Sequence, residues 1–328
     1  MSVQIGKPRV SVGIPVYNGE DFLSFALDSV LAQTFRDFEL LICDNASTDG
    51  TPQICQAYAG RDARVRYFRN ETNLGIAMNQ NRLAKLATGE YFVWVAHDDG
   101  CAPEYLARCV EILDQNPDVV VCYSKTQDIG EDGLPIGPDN PHRVNEVPSE
   151  KLASDSLFLR QRFHDLIQLN HQCEPDYGLI RMEVLKKTGL HGRYADSDRV
   201  LLAELALHGR FHYVREPLFL HREHTHRSVH AYPSRQRRTV LMDPTQEGKI
   251  VLPYWREFFE FLRCIGRAPI SLRVRMSCYS EMLGWVKDYR LKLLSDLKVA
   301  LQDTARKILP GVVQRAIKRA LASPQPKL

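Results

Sequence analysis

Apolar runs and helical stripes alternate along the first third of the chain. Continuous apolar runs are typical of strands that are covered on both faces, as in a parallel sheet. Between the runs, apolar residues recur three and four positions apart, which indicates amphipathic helices. The pattern predicts an α/β fold, a βαβ sandwich with a mostly parallel sheet, whose first five strands occupy residues 10–17, 38–44, 64–70, 90–96 and 118–124.

The remaining sequence is less regular. Residues 126–150 are rich in Gly, Pro, Asp and Asn, which predicts a long loop. Residues 151–169 and 196–209 predict helices, and 211–228 predicts a short strand, a turn at Pro217 and an exit rich in His and Arg.

From about residue 240 the pattern becomes mainly helical. We expect helices at 251–264, 271–294 and 295–321, and therefore a first domain over residues 1–230 followed by a helical extension over 231–328.

Composition limits the class of protein. The 328 residues are 44% hydrophobic and 25% charged, with a net charge of only +3, and the basic residues lack interleaved aromatics, so we expect no nucleic-acid partner. The eight cysteines are scattered without a CxxC pair, which favours reduced, buried thiols. Residues 1–10 do not resemble a signal peptide, and no apolar run approaches the length of a membrane span. We expect a cytoplasmic protein.

Polar residues follow each predicted strand. Ligands of a parallel sheet bind outside the carboxyl ends of its strands, so residues far apart in sequence should cluster there. The candidates are Pro15, Tyr17 and Asn18 after the first strand, Asp44 and Asn45 after the second, Asn70 and Asn73 after the third, and His97, Asp98 and Asp99 after the fourth.

The same segments carry a family resemblance. IPVYN, DNASTDGT, NLG, TGEY and HDD occur in this order and resemble the motifs of family 2 glycosyltransferases. The resemblance is strong over residues 9–125 and weaker over 175–228. It implies a GT-A fold, a nucleotide-sugar donor (UDP-sugar favoured), a divalent Mn²⁺ or Mg²⁺ ion, and transfer with inversion to a hydroxyl acceptor. Polysaccharide, glycolipid or other glycoconjugate biosynthesis in a bacterium would fit such an enzyme.

The resemblance also implies roles for the residues after the strands. Pro15 and Tyr17 would line the nucleoside pocket, and Asp44 would accept a hydrogen bond from the base. Asp98 would face the ribose or donor sugar, and Asp99 would hold the metal on the diphosphate. The position two residues before Asp98, an Asp in many members, is Ala96 here, so we expect sparser metal coordination. Asn73 is a further donor-site candidate, although an Asn before Leu-Gly also shapes turns.

Three residues of the second half complete the expected site. The resemblance places the catalytic base at Asp198, which would deprotonate the acceptor hydroxyl; Asp196 is the alternative, and either carboxylate could instead cap the helix. In HREHTHRSVH, Arg222 would clamp the diphosphate and His224 would join the metal ligands, whereas His226 and His230 receive no role.

Alternatives stay open for the whole chain and for its C-terminal helices. A nucleotidyltransferase or a non-catalytic nucleotide-sugar-binding relative would share much of the scaffold. A nucleotidyltransferase usually has a Gly-rich, basic phosphate loop after the first strand, and this sequence has none there. A non-catalytic relative would not need the complete set of Asp44, Asp98, Asp99 and Asp198. The helices could pack on the first domain or on a second subunit. Alternatively, the basic stretch 306–319 could lie on the inner face of a membrane.

Overall fold

An eight-stranded mixed sheet forms the centre of the protein. The structure is a computed structural model that describes residues 7–137, 147–171, 173–225, 227, 231–232 and 234–308, with side chains as far as residue 305. The strand order is β3-β2-β1-β4-β7-β6-β8-β5. The strands are β1 (Val10–Val16), β2 (Phe38–Asp44), β3 (Val65–Arg69), β4 (Tyr91–Trp94), β5 (Gly100–Cys101), β6 (Val119–Ile129), β7 (Leu179–Arg181) and β8 (Arg210–Arg222).

The parallel half of the sheet is the half that the apolar runs predict. Strands β3, β2, β1 and β4 pair in parallel, and β6 pairs in parallel with β8. The antiparallel pairs β4–β7, β6–β7 and β5–β8 join the two groups and close the far edge. Because β1, β2 and β4 are buried along almost their whole lengths, their sequences are mostly apolar rather than alternating.

Helices cover the sheet and then form a layer of their own. The α-helices are α1 (Leu23–Leu31), α2 (Thr51–Arg61), α3 (Ile76–Leu86), α4 (Tyr105–Gln115), α5 (Leu159–Gln168), α6 (Met182–Leu185), α7 (Ser197–His208), α8 (Arg235–Met242), α9 (Pro253–Arg267) and α10 (Leu272–Ile308).

Two predicted breaks in the sheet are wrong. Strand β6 continues to Ile129, into the predicted loop 126–150, because Ile129 still pairs with Arg222 of β8. Strand β8 also passes through Pro217 without a turn. The register shifts where Pro217 faces Lys125, and such irregularities accommodate a residue that has no N–H to donate.

Two predicted helices differ as well. The helical prediction for 151–169 resolves into the short 3-10 turns Ser149–Lys151 and Ala153–Asp155, followed by α5. The predicted boundary between residues 294 and 295 is wrong, since α10 runs unbroken to Ile308. Asp296 lies inside it and accepts hydrogen bonds from the backbone N–H groups of Tyr254 and Trp255 at the start of α9. The predicted helix 309–321 lies outside the described residues.

The C-terminal helices share a core with the helices of the first domain. Phe163 of α5 and Val200 of α7 belong to one buried cluster with Phe261 of α9 and Trp285 of α10. The Trp285 ring stacks on Tyr289 with 4.3 Å between centroids. The division at residue 230 stays a prediction, and the described residues on its two sides pack as one body in this layer.

An ion pair between a buried carboxylate and an exposed arginine joins the same layer. Both Nε and Nη2 of Arg267 donate to the Glu204 carboxylate at 2.9 Å, which ties α9 to α7. Glu204 is 1% exposed, so the carboxylate depends on these donors and on the N–H of Gly189.

Trp285→Ala should destabilise the whole fold. Trp285 is fully buried, and removing its ring should lower the free energy of unfolding by about 3–5 kcal/mol. Urea unfolding followed by circular dichroism measures this change. Leu283→Ala is the matched control, because Leu283 lies on the same helix but is 74% exposed; its effect should stay within about 0.5 kcal/mol. Equal effects of the two substitutions would contradict the packing described.

Candidate functional site

The loops after the strands meet at one edge of the sheet, as the sequence predicts. The backbone N–H of Asn18, after β1, donates to Ser47 Oγ after β2 at 2.9 Å. Gly19 lies against the His97 ring, so closely that a Cβ on Gly19 would be 2.4 Å from His97 Cδ2. Asp98 then contacts His224, which follows β8. The carboxyl ends of β1, β2, β4 and β8 thus form a continuous polar rim.

Asparagine side chains join the ends of β2 and β3. Asn45 Nδ2 donates to Asn73 Oδ1 at 2.8 Å, and Asn70 Nδ2 donates to Asn45 Oδ1 at 2.8 Å. Asn73 Oδ1 also accepts from the N–H of Gly75, which has a φ of +83°. In this arrangement Asn73 shapes the turn into α3; its role in donor binding stays a prediction.

Asp44 is buried at the end of β2. Its Oδ2 accepts from the Tyr67 hydroxyl at 2.9 Å, and its Oδ1 accepts from the N–H of Ser47 at 2.8 Å. The Arg69 guanidinium lies 3.6 Å away. Because Asp44 is 0% exposed, a base could reach this carboxylate only after its neighbours shift. Tyr17 is 44% exposed beside it and offers an open ring face, while Pro15 is half-buried.

Asp98 and Asp99 each face a different histidine. His224 Nε2 lies 2.9 Å from Asp98 Oδ2, and His221 Nδ1 lies 3.1 Å from Asp99 Oδ1. Asp99 Oδ1 also accepts from the backbone N–H of Arg222 at 2.9 Å. Two adjacent carboxylates can therefore stay at the end of a strand, because an imidazole lies against each of them and a backbone N–H also donates to Asp99.

The histidines also affect the protonation of the site. Burial disfavours the charged form of Asp98, but the charges of His97 and His224 outweigh it and lower the pKa of that carboxyl. Burial likewise opposes a charge on His221, yet the Asp99 carboxylate raises the pKa of the imidazole. The first effect favours the ionised form of Asp98, and the second favours the protonated form of His221.

Arg222 lies where the sequence places it but makes other contacts than expected. Its Nε donates to the carbonyl of Asp98 at 2.9 Å, and its Nη1 donates to the carbonyls of Gly130 and Glu131 at 2.8 and 2.9 Å. The guanidinium also lies over the rings of Phe22 and Phe25, at 4.9 and 4.4 Å. In this structure the Arg222 guanidinium joins the backbone after β4 to the backbone after β6. Its role in binding the diphosphate stays a prediction, and these contacts do not favour it.

A divalent cation fits the donor types of the rim. Carboxylate oxygens of Asp98 and Asp99 with the His224 imidazole suit Mn²⁺, and the oxygens alone suit Mg²⁺. Among the described residues, however, no three His, Cys, Asp or Glu side chains are arranged to hold an ion.

Asp198 lies in the first turn of α7, half-buried in an acidic setting. Burial raises the pKa of its carboxyl, and the charges of Asp176 and Asp196 raise it further. Its Oδ1 accepts from the N–H of Arg199 at 2.8 Å. Asp196 has a left-handed backbone with a φ of +60° and is paired with Arg235 and, at 3.5 Å, with Arg238. The carboxylate of Asp198 has no such cationic partner among the described contacts.

Asp176 and His191 form a buried pair that the sequence analysis did not single out. Asp176 Oδ1 and His191 Nε2 are buried 3.7 Å apart, and neither atom has a hydrogen-bond partner in the described residues. Burial raises the pKa of Asp176 to about 7 and lowers the pKa of His191 to about 4. The His191 ring also packs edge-on against Trp94, with 4.7 Å between centroids, beside the buried end of β4.

Trp94 is a core residue, and its Nε1 donates to the Gln80 carbonyl. All eight cysteines are buried and free, as predicted. His226 and His230 lie outside the described residues. The signal that could have revealed Asp176 is its position three residues before the short apolar strand β7.

Comparison with known proteins agrees with this geometry. A family model described as glycosyl transferase family 2 matches residues 11–189, more than half of the chain. An uncharacterized glycosyltransferase of Rickettsia typhi is 36% identical over 186 residues, which are 56% of this chain and 53% of that protein. The chain spans about half the length of the curated relatives it matches.

Two solved structures show the same fold. S. aureus TarS 1–349 in complex with UDP-GlcNAc superposes with a TM-score of 0.63 and 17% identity, covering 96% of this chain and 87% of that one. The mannosyltransferase PcManGT from Pyrobaculum calidifontis, in complex with GDP-Man and Mn²⁺, has a TM-score of 0.56 and 19% identity, covering 98% and 82%. The GT-A fold that the sequence resemblance implies is thereby confirmed.

The chain belongs to glycosyl transferase family 2. No helix among the described residues is long and apolar enough to cross a membrane.

Asp176→Asn should remove part of the pH dependence of stability. A carboxyl whose pKa is raised on folding to about 7 stabilises the fold at low pH, and this contribution is lost as pH rises from about 4 through about 7. The variant should therefore gain stability relative to the parent over that window, by up to a few kcal/mol. Thermal unfolding at pH 4.5, 6 and 8 measures the gain.

Asp37→Asn is the matched control, since Asp37 is exposed. It should follow the pH dependence of the parent protein. If the melting temperature of Asp176→Asn differed from that of the parent by the same amount at all three pH values, the Asp176 carboxyl would not be buried in a neutral form.

Proposed function

We propose that this protein is an inverting, metal-dependent glycosyltransferase. It would move a sugar from a nucleoside-diphosphate donor, a UDP-sugar in the favoured case, to a hydroxyl of a glycan, glycolipid or small molecule. The observation that carries the proposal is the continuous rim that brings Tyr17, Asp44, Asp98 and Asp99 to one edge of the sheet. Family membership supports the reaction class.

The donor would lie along the rim from β2 towards β4. Tyr17 and Pro15 supply an apolar surface for the base, and Asp44 is the nearest carboxylate that could accept its N–H. Asp98 then lies where the ribose or the donor sugar would follow. Nucleotide-sugar complexes of TarS and PcManGT, which share the fold, support a donor of this class.

The leaving group needs its charge balanced. A bound Mn²⁺ or Mg²⁺ would neutralise the departing diphosphate, and Asp99, with Asp98 or His224, would hold it. The protein contributes the fixed positions of these side chains, through the backbone N–H of Arg222 and the ring of His221. The Mn²⁺ complex of PcManGT supports this role for a metal.

Asp198 would act as the base. The acceptor oxygen attacks the anomeric carbon as its proton passes to the Asp198 carboxylate, and the bond from that carbon to the diphosphate oxygen breaks. A half-buried carboxylate with a raised pKa is a stronger base than a fully exposed one. Asp196 is less suited, because two guanidinium groups already engage its oxygens.

Asp198→Asn should abolish transfer without loss of donor binding. The amide cannot take the proton, so kcat should fall about a thousandfold while the Kd for UDP changes less than about twofold. Kinetics with an identified acceptor and calorimetric titration of UDP measure the two quantities. Asp196→Asn is the comparison and should retain most of the activity. The reverse pattern, with Asp196→Asn inactive and Asp198→Asn active, would move the base to Asp196.

Mn²⁺ should strengthen nucleotide binding through Asp99. With UDP, GDP and dTDP tested in turn, one nucleotide should raise the melting temperature more with Mn²⁺ than with EDTA. Asp99→Asn should weaken the metal-dependent part about tenfold or more and leave metal-free binding nearly unchanged. The surface variant Asp37→Asn should behave as the parent. A nucleotide that binds equally well with EDTA and with Mn²⁺ would contradict metal dependence.

A further inference from the structure

The last helix has two opposite faces. One side of α10 places Cys278, Met282, Trp285 and Leu293 in the core that it shares with α5, α7 and α9. The other side places Met276, Leu283, Leu291, Leu294 and Leu301 in solvent, each between 58 and 74% exposed. We call these five residues, together with Lys287 and Arg290, the outer face of α10.

The exposed apolar residues form one stripe. They are separated by seven, eight, three and seven positions, spacings that return to the same side of an α-helix. At about 1.5 Å per residue the stripe from Met276 to Leu301 is about 38 Å long. Single exposed leucines are common, but a continuous stripe of this length marks a surface that contacts another molecule.

Cations lie within the stripe. Lys287 is four residues from both Leu283 and Leu291, and Arg290 is four residues before Leu294, so both reach the same surface. Both are exposed, as are Arg273 and Lys298. Over the part of α10 whose side chains the structure describes, Asp288 is the one exposed carboxylate. The outer face is therefore apolar and cationic at once.

We propose that the outer face of α10 docks on an anionic lipid surface. Leucines of an interfacial helix insert among the acyl chains while lysine and arginine meet the anionic headgroups. The helix would lie along the membrane, since it has no span that could cross one. A second copy of the chain is a poorer occupant, because two such faces would bring Lys287 and Arg290 against cations with almost no carboxylate to pair with.

Docking would place the helical layer, rather than the sheet, nearest the lipid. Helix α10 packs through Trp285 and Leu293 on the cluster that includes Val200 of α7, the helix that begins next to the proposed base. The surface is independent of the donor rim, so the docking function holds or fails separately from the glycosyltransferase assignment.

Vesicle flotation of the full chain tests the docking. The protein should float with vesicles of phosphatidylglycerol and phosphatidylcholine in equal parts, and stay at the bottom with phosphatidylcholine alone. Leu291→Gln/Leu294→Gln should weaken binding about tenfold or more, and Lys287→Gln/Arg290→Gln by a similar factor at low salt and less at high salt.

The control removes two cations elsewhere. Lys186 and Lys187 are exposed beside α6, and Lys186→Gln/Lys187→Gln should float as the parent does. Unchanged melting temperatures would show that all three variants fold. Absence of flotation with the anionic vesicles, or equal loss in all three variants, would overturn the proposal. So would a dimer in light scattering that Leu291→Gln/Leu294→Gln dissociates while no vesicle is bound.

Discussion

The buried guanidinium of Arg222 is the contact on which the Asp98 and Asp99 end of the site depends. It comes from the end of β8 and donates to backbone carbonyls after β4 and after β6, while its flat faces meet two phenylalanines near the start of α1. Four parts of the chain are thus fixed by one side chain. The N–H of the same residue holds Asp99. Burying a charge is costly unless its donors are hydrogen-bonded, and here Nε and Nη1 donate to carbonyl oxygens rather than to the Asp98 or Asp99 carboxylates.

The parts of this arrangement that sequence could predict are the local ones. Apolar runs placed β1 to β4, and the polar residues that follow them were expected to meet because parallel strands end at one edge. Asp98 and Asp99 belong to this group. Their histidine partners, however, lie more than 120 residues further along the chain.

Sequence failed where burial depends on contacts between distant segments. The sequence around Arg222 does not show whether its guanidinium binds a diphosphate or donates to backbone carbonyls. The carbonyls that it contacts, those of Gly130 and Glu131, follow β6, which was expected to end at residue 124. Asp176 and His191 were missed for the same reason. Their protonation depends on enclosure by β4, β7 and α3, not on their neighbours in sequence. The continuity of α10 likewise follows from its packing against α9, which outweighs the polar residues at 295 and 296.

The eight buried thiols have a consequence for following motion in this protein. They are spread over the three cores: Cys55, Cys101, Cys109 and Cys122 on one face of the sheet, Cys43 and Cys173 on the other, and Cys264 and Cys278 in the helical layer. A buried thiol reacts with an alkylating reagent only when its surroundings open. The order in which these residues become modified would therefore report which layer loosens first, with no label introduced, and would distinguish movement of the helical layer from movement of the sheet.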